Sequence, residues 1–121
     1  MSPRRWLPFV CWAVLVLTLT SIPNPHVPVV PGGDKAAHAI MYGVLGGLAA
    51  FALVGVRRPL MAHVLALAGV AALAALDEWH QLFIPGRSAD VADWMADVVG
   101  ATLVLLFSAV ALRRREPAQL D

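Results

Sequence analysis

The chain has 121 residues, of which 60% are hydrophobic and only 14% are charged. Soluble domains average about 45–50% hydrophobic and about 25% charged residues, so this composition excludes an ordinary water-soluble globule and a disordered tail. The formal net charge is +1 and Cys11 is the single cysteine. An internal disulfide is therefore excluded, and no nucleic-acid partner is expected.

Four stretches of the sequence are long and apolar enough to cross a membrane as helices. At 1.5 Å per residue each would span roughly 26–32 Å, which matches the hydrocarbon core of a bilayer. Their only formally charged residue is Asp97, in the first turn of the last stretch. The predicted spans, in chain order, are residues 6–22, 36–56, 60–76 and 95–112.

The segments around these spans indicate how the spans are connected. The first span follows two arginines, but it is too long for the apolar region of a signal peptide and no A-x-A-like cleavage site follows, so we expect it to be retained. Four prolines within residues 23–31 favour an extended path. Residues 57–59 leave only a short turn, which predicts an antiparallel hairpin. Residues 77–94 form a longer polar connection.

Lysines and arginines predict the orientation in the membrane, because they concentrate on the cytoplasmic side. The first and third loops carry only Lys35 and Arg87. The opposite side, which holds both termini and the middle turn, carries seven basic residues: Arg4, Arg5, Arg57, Arg58, Arg113, Arg114 and Arg115. We therefore predict an all-α membrane protein with a single domain over residues 1–121, four transmembrane helices in an antiparallel bundle, and both termini in the cytoplasm.

Acidic residues collect at the two loops that are predicted to face outward. Six of the eight lie in or beside these loops: Asp34, Asp77, Glu78, Asp90, Asp93 and Asp97. Polar groups at the membrane boundary are costly to bury, so they are candidates for function. Helical spacing places several of them on shared faces, provided that the third helix continues past residue 76. These sets are Asp34, His38 and Tyr42; Asp77 and Gln81; and Asp90, Asp93, Asp97 and Gly100.

Several of these residues also have a purely structural interpretation. Asp34 follows two glycines before a helix and could be its N-cap. Asp90 and Asp93 near a helix N-terminus would complement the helix dipole. Two tryptophans of the candidate region, Trp79 and Trp94, suit anchors at the membrane interface.

Asp77 and Glu78 are harder to explain in this way. At a helix C-terminus each opposes the dipole by about 0.3–1 kcal/mol. They therefore need a partner, such as Arg87 or Lys35, or a functional role, and both alternatives stay open. Asp97 would lie about one turn inside the hydrocarbon boundary, where it must be protonated, paired or facing a wet pocket.

Two ordered motifs resemble the signatures of the VanZ-like family of small bacterial membrane proteins. The first is DK-x-x-H-x-x-x-Y over residues 34–42. The second is DE-x-x-Q-x-F-x-PGR over residues 77–87, followed by Asp93 and Gly100. The resemblance covers roughly residues 34–101, and the hydropathy pattern extends it to the whole chain. One departure is Asp97, since the family usually has asparagine there.

This resemblance implies a multi-pass protein of the bacterial cytoplasmic membrane. The family takes its name from a factor linked to low-level resistance to the glycopeptide teicoplanin, so a role in the cell envelope is expected. Its biochemical activity is not established. The candidate functional cluster comprises Asp34, Lys35, His38, Tyr42, Asp77, Glu78, Gln81, Arg87, Asp93 and Asp97.

Two functions are compatible with this cluster. In the first, an outward pocket binds a membrane lipid head group, a lipid-linked cell-wall precursor or a glycopeptide. Lys35 and Arg87 would hold phosphate or carboxylate, and the polar side chains of His38, Tyr42 and Gln81 would supply hydrogen bonds.

In the second, the protein is a membrane-embedded, metal-assisted hydrolase or transferase acting on a lipid phosphate or ester. The acids of the cluster and His38 could hold a divalent ion, with Glu78 or His38 as base. No metal-binding spacing such as HExxH occurs, so no metal site is assigned and the cofactor is unknown. An ion pathway ranks last, because the other half of the predicted bundle has almost no polar groups.

Overall fold

The computed structural model of the chain describes residues 2–23 and 31–115. These residues form a short 3-10 helix, Pro3–Trp6, and four α-helices: α1 (Leu7–Thr20), α2 (Gly33–Ala52), α3 (Pro59–Gln81) and α4 (Val91–Arg113). No strand occurs within the described ranges. By length and composition α2, α3 and α4 can each cross a membrane. The predicted extended path after the first span falls largely on residues 24–30, outside the described residues.

The first two α-helices end earlier than the predicted spans. α1 stops at Thr20 instead of residue 22, and α2 covers Gly33–Ala52 instead of residues 36–56. Gly55, shortly after the end of α2, adopts a φ of 85°. That left-handed conformation suits glycine and commonly follows a helix end. The apolar residues after Ala52 therefore belong to a turn, which hydropathy alone could not distinguish from helix.

The last two α-helices extend further into the polar connection than the predicted spans. α3 continues to Gln81 instead of residue 76, and α4 begins at Val91 instead of residue 95. Hydropathy detects only the apolar part of a helix, whereas these extra turns carry polar side chains with partners. Asp90 is the N-cap of α4, and its carboxylate accepts a hydrogen bond from the Ala92 N–H at 2.9 Å.

α2 and α4 lie in close contact through small residues. A Cβ atom on Gly100 would lie 2.1 Å from the carbonyl oxygen of Ala39, so only glycine is accommodated there. A Cβ on Gly46 would lie 3.2 Å from the Cα of Ala101. Small residues allow membrane helices to approach in this way. This contact brings the N-terminal turns of α2 and α4 together.

Apolar side chains cover the outside of the molecule as well as its centre. Tyr42, Leu45 and Val70 are buried in the core, whereas large residues such as Leu65 and Phe107 are 64% and 76% exposed. Soluble proteins rarely expose so much contiguous apolar surface. The exterior therefore suits contact with lipid, in agreement with the three helices that are long enough to span a bilayer.

Candidate functional site at the polar end

Polar side chains from all four α-helices meet at one end of the molecule. This polar end is formed by the C-termini of α1 and α3 and by the N-termini of α2 and α4. The polar cluster there comprises Thr20, Asp34, Lys35, His38, Tyr42, Asp77, Glu78, Gln81, Asp90, Asp93 and Asp97. Many of these residues are buried, with Asp77 1% and Asp97 0% exposed.

Lys35 connects the start of α2 to the start of α4. Its ammonium group donates hydrogen bonds to Asp93 and, at 3.0 Å, to Asp90. A longer contact of 3.5 Å reaches Asp34, whose side chain is 70% exposed. The hydrogen bond from Lys35, followed by that from the Ala92 N–H, lowers the pKa of the Asp90 carboxyl below its ordinary value. Lys35 is thus engaged by carboxylates.

His38 lies among three carboxylates. Its Nδ1 is 2.8 Å from Oδ1 of Asp97, and its Nε2 is 3.7 Å from Oδ2 of Asp93 and 3.9 Å from Oδ1 of Asp34. The residue is 5% exposed. The N-cap of α2 is Gly32, without a side-chain cap bond, so the interpretation of Asp34 as an N-cap is wrong. Asp34 instead lies in the first turn, facing His38.

Asp77 is satisfied by two neutral hydroxyl donors. Thr20 Oγ1 donates to its Oδ1 at 2.7 Å, and the Tyr42 hydroxyl donates to its Oδ2 at 2.9 Å. These bonds join α1 and α2 to the end of α3 and offset the unfavourable position of the carboxylate. Sequence reasoning missed Thr20. The available signal was a pair of hydroxyl residues, Thr18 and Thr20, in the last turn of an apolar helix.

Glu78 holds the end of α3 against the start of α4. Its Oε2 accepts the backbone N–H of Asp90 at 3.0 Å, and the Gln81 amide lies 3.5 Å from its Oε1. One of the two alternatives for Glu78 was a basic partner, such as Arg87 or Lys35. The structure provides a backbone amide instead, which also fixes the N-cap residue of α4 in place.

Arg87 contacts a different part of the polar end. Its guanidinium donates to the carbonyl oxygens of Leu19 at 2.9 Å and Ile22 at 3.1 Å, at the C-terminus of α1. A cation there donates to carbonyl oxygens at the end of the helix and complements the helix dipole. The alternative in which Arg87 is the partner of Asp77 or Glu78 is therefore wrong.

The charge balance of the polar cluster is strongly acidic. Six carboxyl groups meet one lysine and one histidine, because Arg87 is directed to α1. A small cavity of about 210 Å³ borders the cluster, lined by Ala75, Glu78, Ala89, Asp90, Val91 and Trp94. A larger cavity of about 420 Å³ lies toward the opposite end and is lined mainly by apolar residues. The chemistry of the polar end therefore favours cations over anions.

Comparison with known proteins gives one match. Curated proteins and solved structures yield none. The profile of the family described as VanZ/LLP1 matches residues 5–112, which is most of the chain. That range contains both motifs and every residue of the polar cluster. The chain therefore belongs to the VanZ/LLP1 family of membrane proteins.

Proposed function

We propose that this membrane protein binds an ammonium-bearing head group, from a membrane lipid or a lipid-linked envelope precursor, at its polar end. The small cavity beside Glu78, Asp90 and Trp94 carries this proposal, because a carboxylate next to an aromatic ring can recognise an ammonium ion. Glu78 is the carboxylate available for it, since its Oε1 has only a 3.5 Å contact with Gln81, whereas both oxygens of Asp90 are already engaged.

The proposed topology places this cavity on the outer face of the bacterial cytoplasmic membrane. α1 and the 3-10 helix before it have 14 and 4 residues, which give about 21 Å and about 8 Å of length, together enough for a fourth span. The seven basic residues of the termini and the middle turn support a cytoplasmic position for both termini in an antiparallel bundle.

The surroundings of the cavity favour the positive part of a head group over its phosphate. Lys35 is engaged by Asp90 and Asp93, and Arg87 by two carbonyl oxygens, so neither is available for an anion. The indole N–H of Trp94 donates to the carbonyl oxygen of Ala71 at 3.0 Å. This bond holds the ring in a fixed orientation at the cavity.

Binding at this face links the proposal to antibiotic susceptibility. A lipid-linked precursor held at the outer surface would be less exposed to a glycopeptide. Susceptibility to such antibiotics should then change when the protein is expressed with an intact cavity, and return to the baseline when the cavity is altered.

The binding proposal can be tested by native mass spectrometry of the purified full chain in detergent. We expect retained phosphatidylethanolamine, and about tenfold less of the same lipid with its amine acetylated, because acetylation removes the cation. Trp94→Leu should abolish this difference. Trp79→Leu is the matched control, since Trp79 is 60% exposed and packs on Phe83.

Equal retention of the two lipids by the unaltered protein would contradict the proposal. Hydrolysis of lipid phosphate or ester bonds during the same incubation would favour the alternative, a membrane-embedded hydrolase or transferase.

A further inference from the structure

We propose that the polar end also contains a binding site for a divalent transition-metal ion of the zinc type, formed by Asp34, His38 and Asp93. Asp97 would be the carboxylate that orients His38. This site goes beyond head-group binding and does not depend on it, because its ligands lie where the start of α2 meets the start of α4, and none of them lines the cavity.

The three side chains have a separation suited to a shared ion. One ligand atom from each lies within 4.8 Å of the other two, and His38 Nε2 is 3.7 and 3.9 Å from the two carboxylate oxygens. Bonds of about 2.0–2.2 Å in a tetrahedral zinc site place ligand atoms roughly 3.3–3.6 Å apart. A small movement of the exposed Asp34 side chain would complete this geometry.

The imidazole is oriented for metal binding by its other nitrogen. With Nδ1–H donating to Asp97 Oδ1 at 2.8 Å, Nε2 is left with a free lone pair. Among the described residues Nε2 makes no hydrogen bond and faces two carboxylates at close range. A carboxylate behind a metal-binding histidine is the common arrangement that fixes the tautomer and strengthens the ligand.

The environment of Asp97 gives an independent reason to expect a cation. Asp97 is fully buried, and its Oδ2 has no hydrogen-bond partner within residues 2–23 and 31–115. Asp77 is equally buried, but two hydroxyl groups satisfy its oxygens. A buried carboxylate with an unpaired oxygen is destabilising unless positive charge lies nearby. An ion on Nε2 of His38 would supply that charge.

Lys35 leaves the required oxygens free. It contacts Oδ2 of Asp34 and Oδ1 of Asp93, whereas His38 faces Oδ1 of Asp34 and Oδ2 of Asp93. Each carboxylate therefore presents one oxygen to the lysine and the other to the imidazole. The lysine offsets part of the negative charge without occupying the position of the ion.

The ligand set also indicates the class of metal. Imidazole favours zinc and its neighbours in the transition series over magnesium and calcium, which prefer oxygen ligands alone. A second grouping of His38, Glu78 and Asp97 is less suited to an ion. With Nδ1 of His38 bonded to Asp97, the free Nε2 faces Asp34 and Asp93, so its lone pair is directed to the first grouping. With three protein ligands, the proposed site would keep a fourth position for water.

The test is equilibrium dialysis of the purified full chain in detergent against zinc alone, followed by elemental analysis. We expect about one zinc ion per chain, and at least about tenfold weaker binding in His38→Ala and in Asp34→Asn. Asp34 is exposed, so its variant tests the site even where His38→Ala fails to fold. His63→Ala is the matched control, since His63 contacts the Pro59 carbonyl and Ser108.

Cobalt substitution provides a second readout. Bound cobalt should give the visible absorption of a four-coordinate site, and Asp97→Asn should alter that absorption and weaken binding about 10–100-fold. Substoichiometric zinc in the unaltered chain, or equal losses in the His38 and His63 variants, would overturn the proposal. Trp94→Leu should lose lipid selectivity yet keep zinc, so the failure of one proposal is distinguishable from the failure of the other.

Discussion

The two ends of the helix bundle contain similar residue types in opposite surroundings. At the polar end His38 lies within 4 Å of three carboxylates. At the opposite end, which holds the turn between α2 and α3, His63 lies 2.7 Å from the Pro59 carbonyl oxygen and 3.4 Å from the Ser108 hydroxyl. His63 therefore has neutral partners, whereas His38 is surrounded by acidic ones. The polar end is a candidate site because of the groups that surround its histidine, since the opposite end also contains a histidine.

The ends also differ in how their charges are held. The ion pairs among the described residues all involve Lys35 or His38 at the polar end. Toward the opposite end, Arg5 donates to the Val54 carbonyl oxygen at 2.9 Å, and the cavity of about 420 Å³ is largely apolar. The polar end combines high charge with burial, so its geometry should be the more sensitive to small changes.

The largest effect is expected from widening the contact that assembles the polar end. Gly100→Val would drive a side chain into the Ala39 backbone, where even a Cβ would lie 2.1 Å from an oxygen. Because backbone cannot yield, the protein should lose about 3 kcal/mol or more of stability. Thermal unfolding followed by size-exclusion chromatography in detergent would measure the loss.

Gly47→Ala is the comparison from further along the same helix pair. Its Cβ would meet only the Val104 side chain, at 3.2 Å. A side chain can shift, and alanine favours helix by up to about 1 kcal/mol, so stability should change little. Equal destabilisation by both variants would show that the tight approach is not particular to the polar end.

The contrast between the ends also shows which features a sequence can predict. Hydropathy located the helices because membrane compatibility depends on local composition. It placed the end of α3 at residue 76 instead of Gln81 and the start of α4 at residue 95 instead of Val91. The missing turns are polar, and they become helical only because other groups satisfy their side chains. Helical spacing grouped Asp34 with His38, because the period of a helix is fixed.

The partners of other polar residues depend on packing between helices, which spacing does not reveal. Thr20 of α1 donates a hydrogen bond to Asp77 of α3. Arg87, in the loop between α3 and α4, donates to carbonyl oxygens at the end of α1. A basic residue near acidic ones suggested a salt bridge. The structure instead satisfies Asp77 with hydroxyls and Glu78 with a backbone amide.

A smaller effect is expected from removing the arginine contacts at the two ends. Arg87→Ala loses two bonds to α1 carbonyls and should reduce stability by about 1 kcal/mol. Arg5→Ala loses the single exposed bond to Val54 and should have a smaller effect. Hydrogen exchange in the last turn of α1 should accelerate only in the Arg87 variant. Both variants should still bind zinc and lipid. Loss of either ligand in Arg87→Ala would show that Arg87 contributes to the binding site.

The smallest effect is expected from the exposed charge of Asp90, and it should appear only in acid. Lys35 and the Ala92 N–H lower the pKa of Asp90 from its ordinary value of 3.8, so the folded state binds this proton less readily than the unfolded state. The resulting stabilisation is present above pH 3.8 and is lost as the pH falls through the lower, folded-state pKa.

Asp90→Asn retains a side chain suited to the N-cap but removes the charge. Melting temperatures measured from pH 7 to pH 3 should therefore fall less steeply in Asp90→Asn than in the unaltered protein. If the melting temperatures of the two proteins fell equally with pH, the contact between Lys35 and Asp90 would contribute nothing to the stability of the polar end.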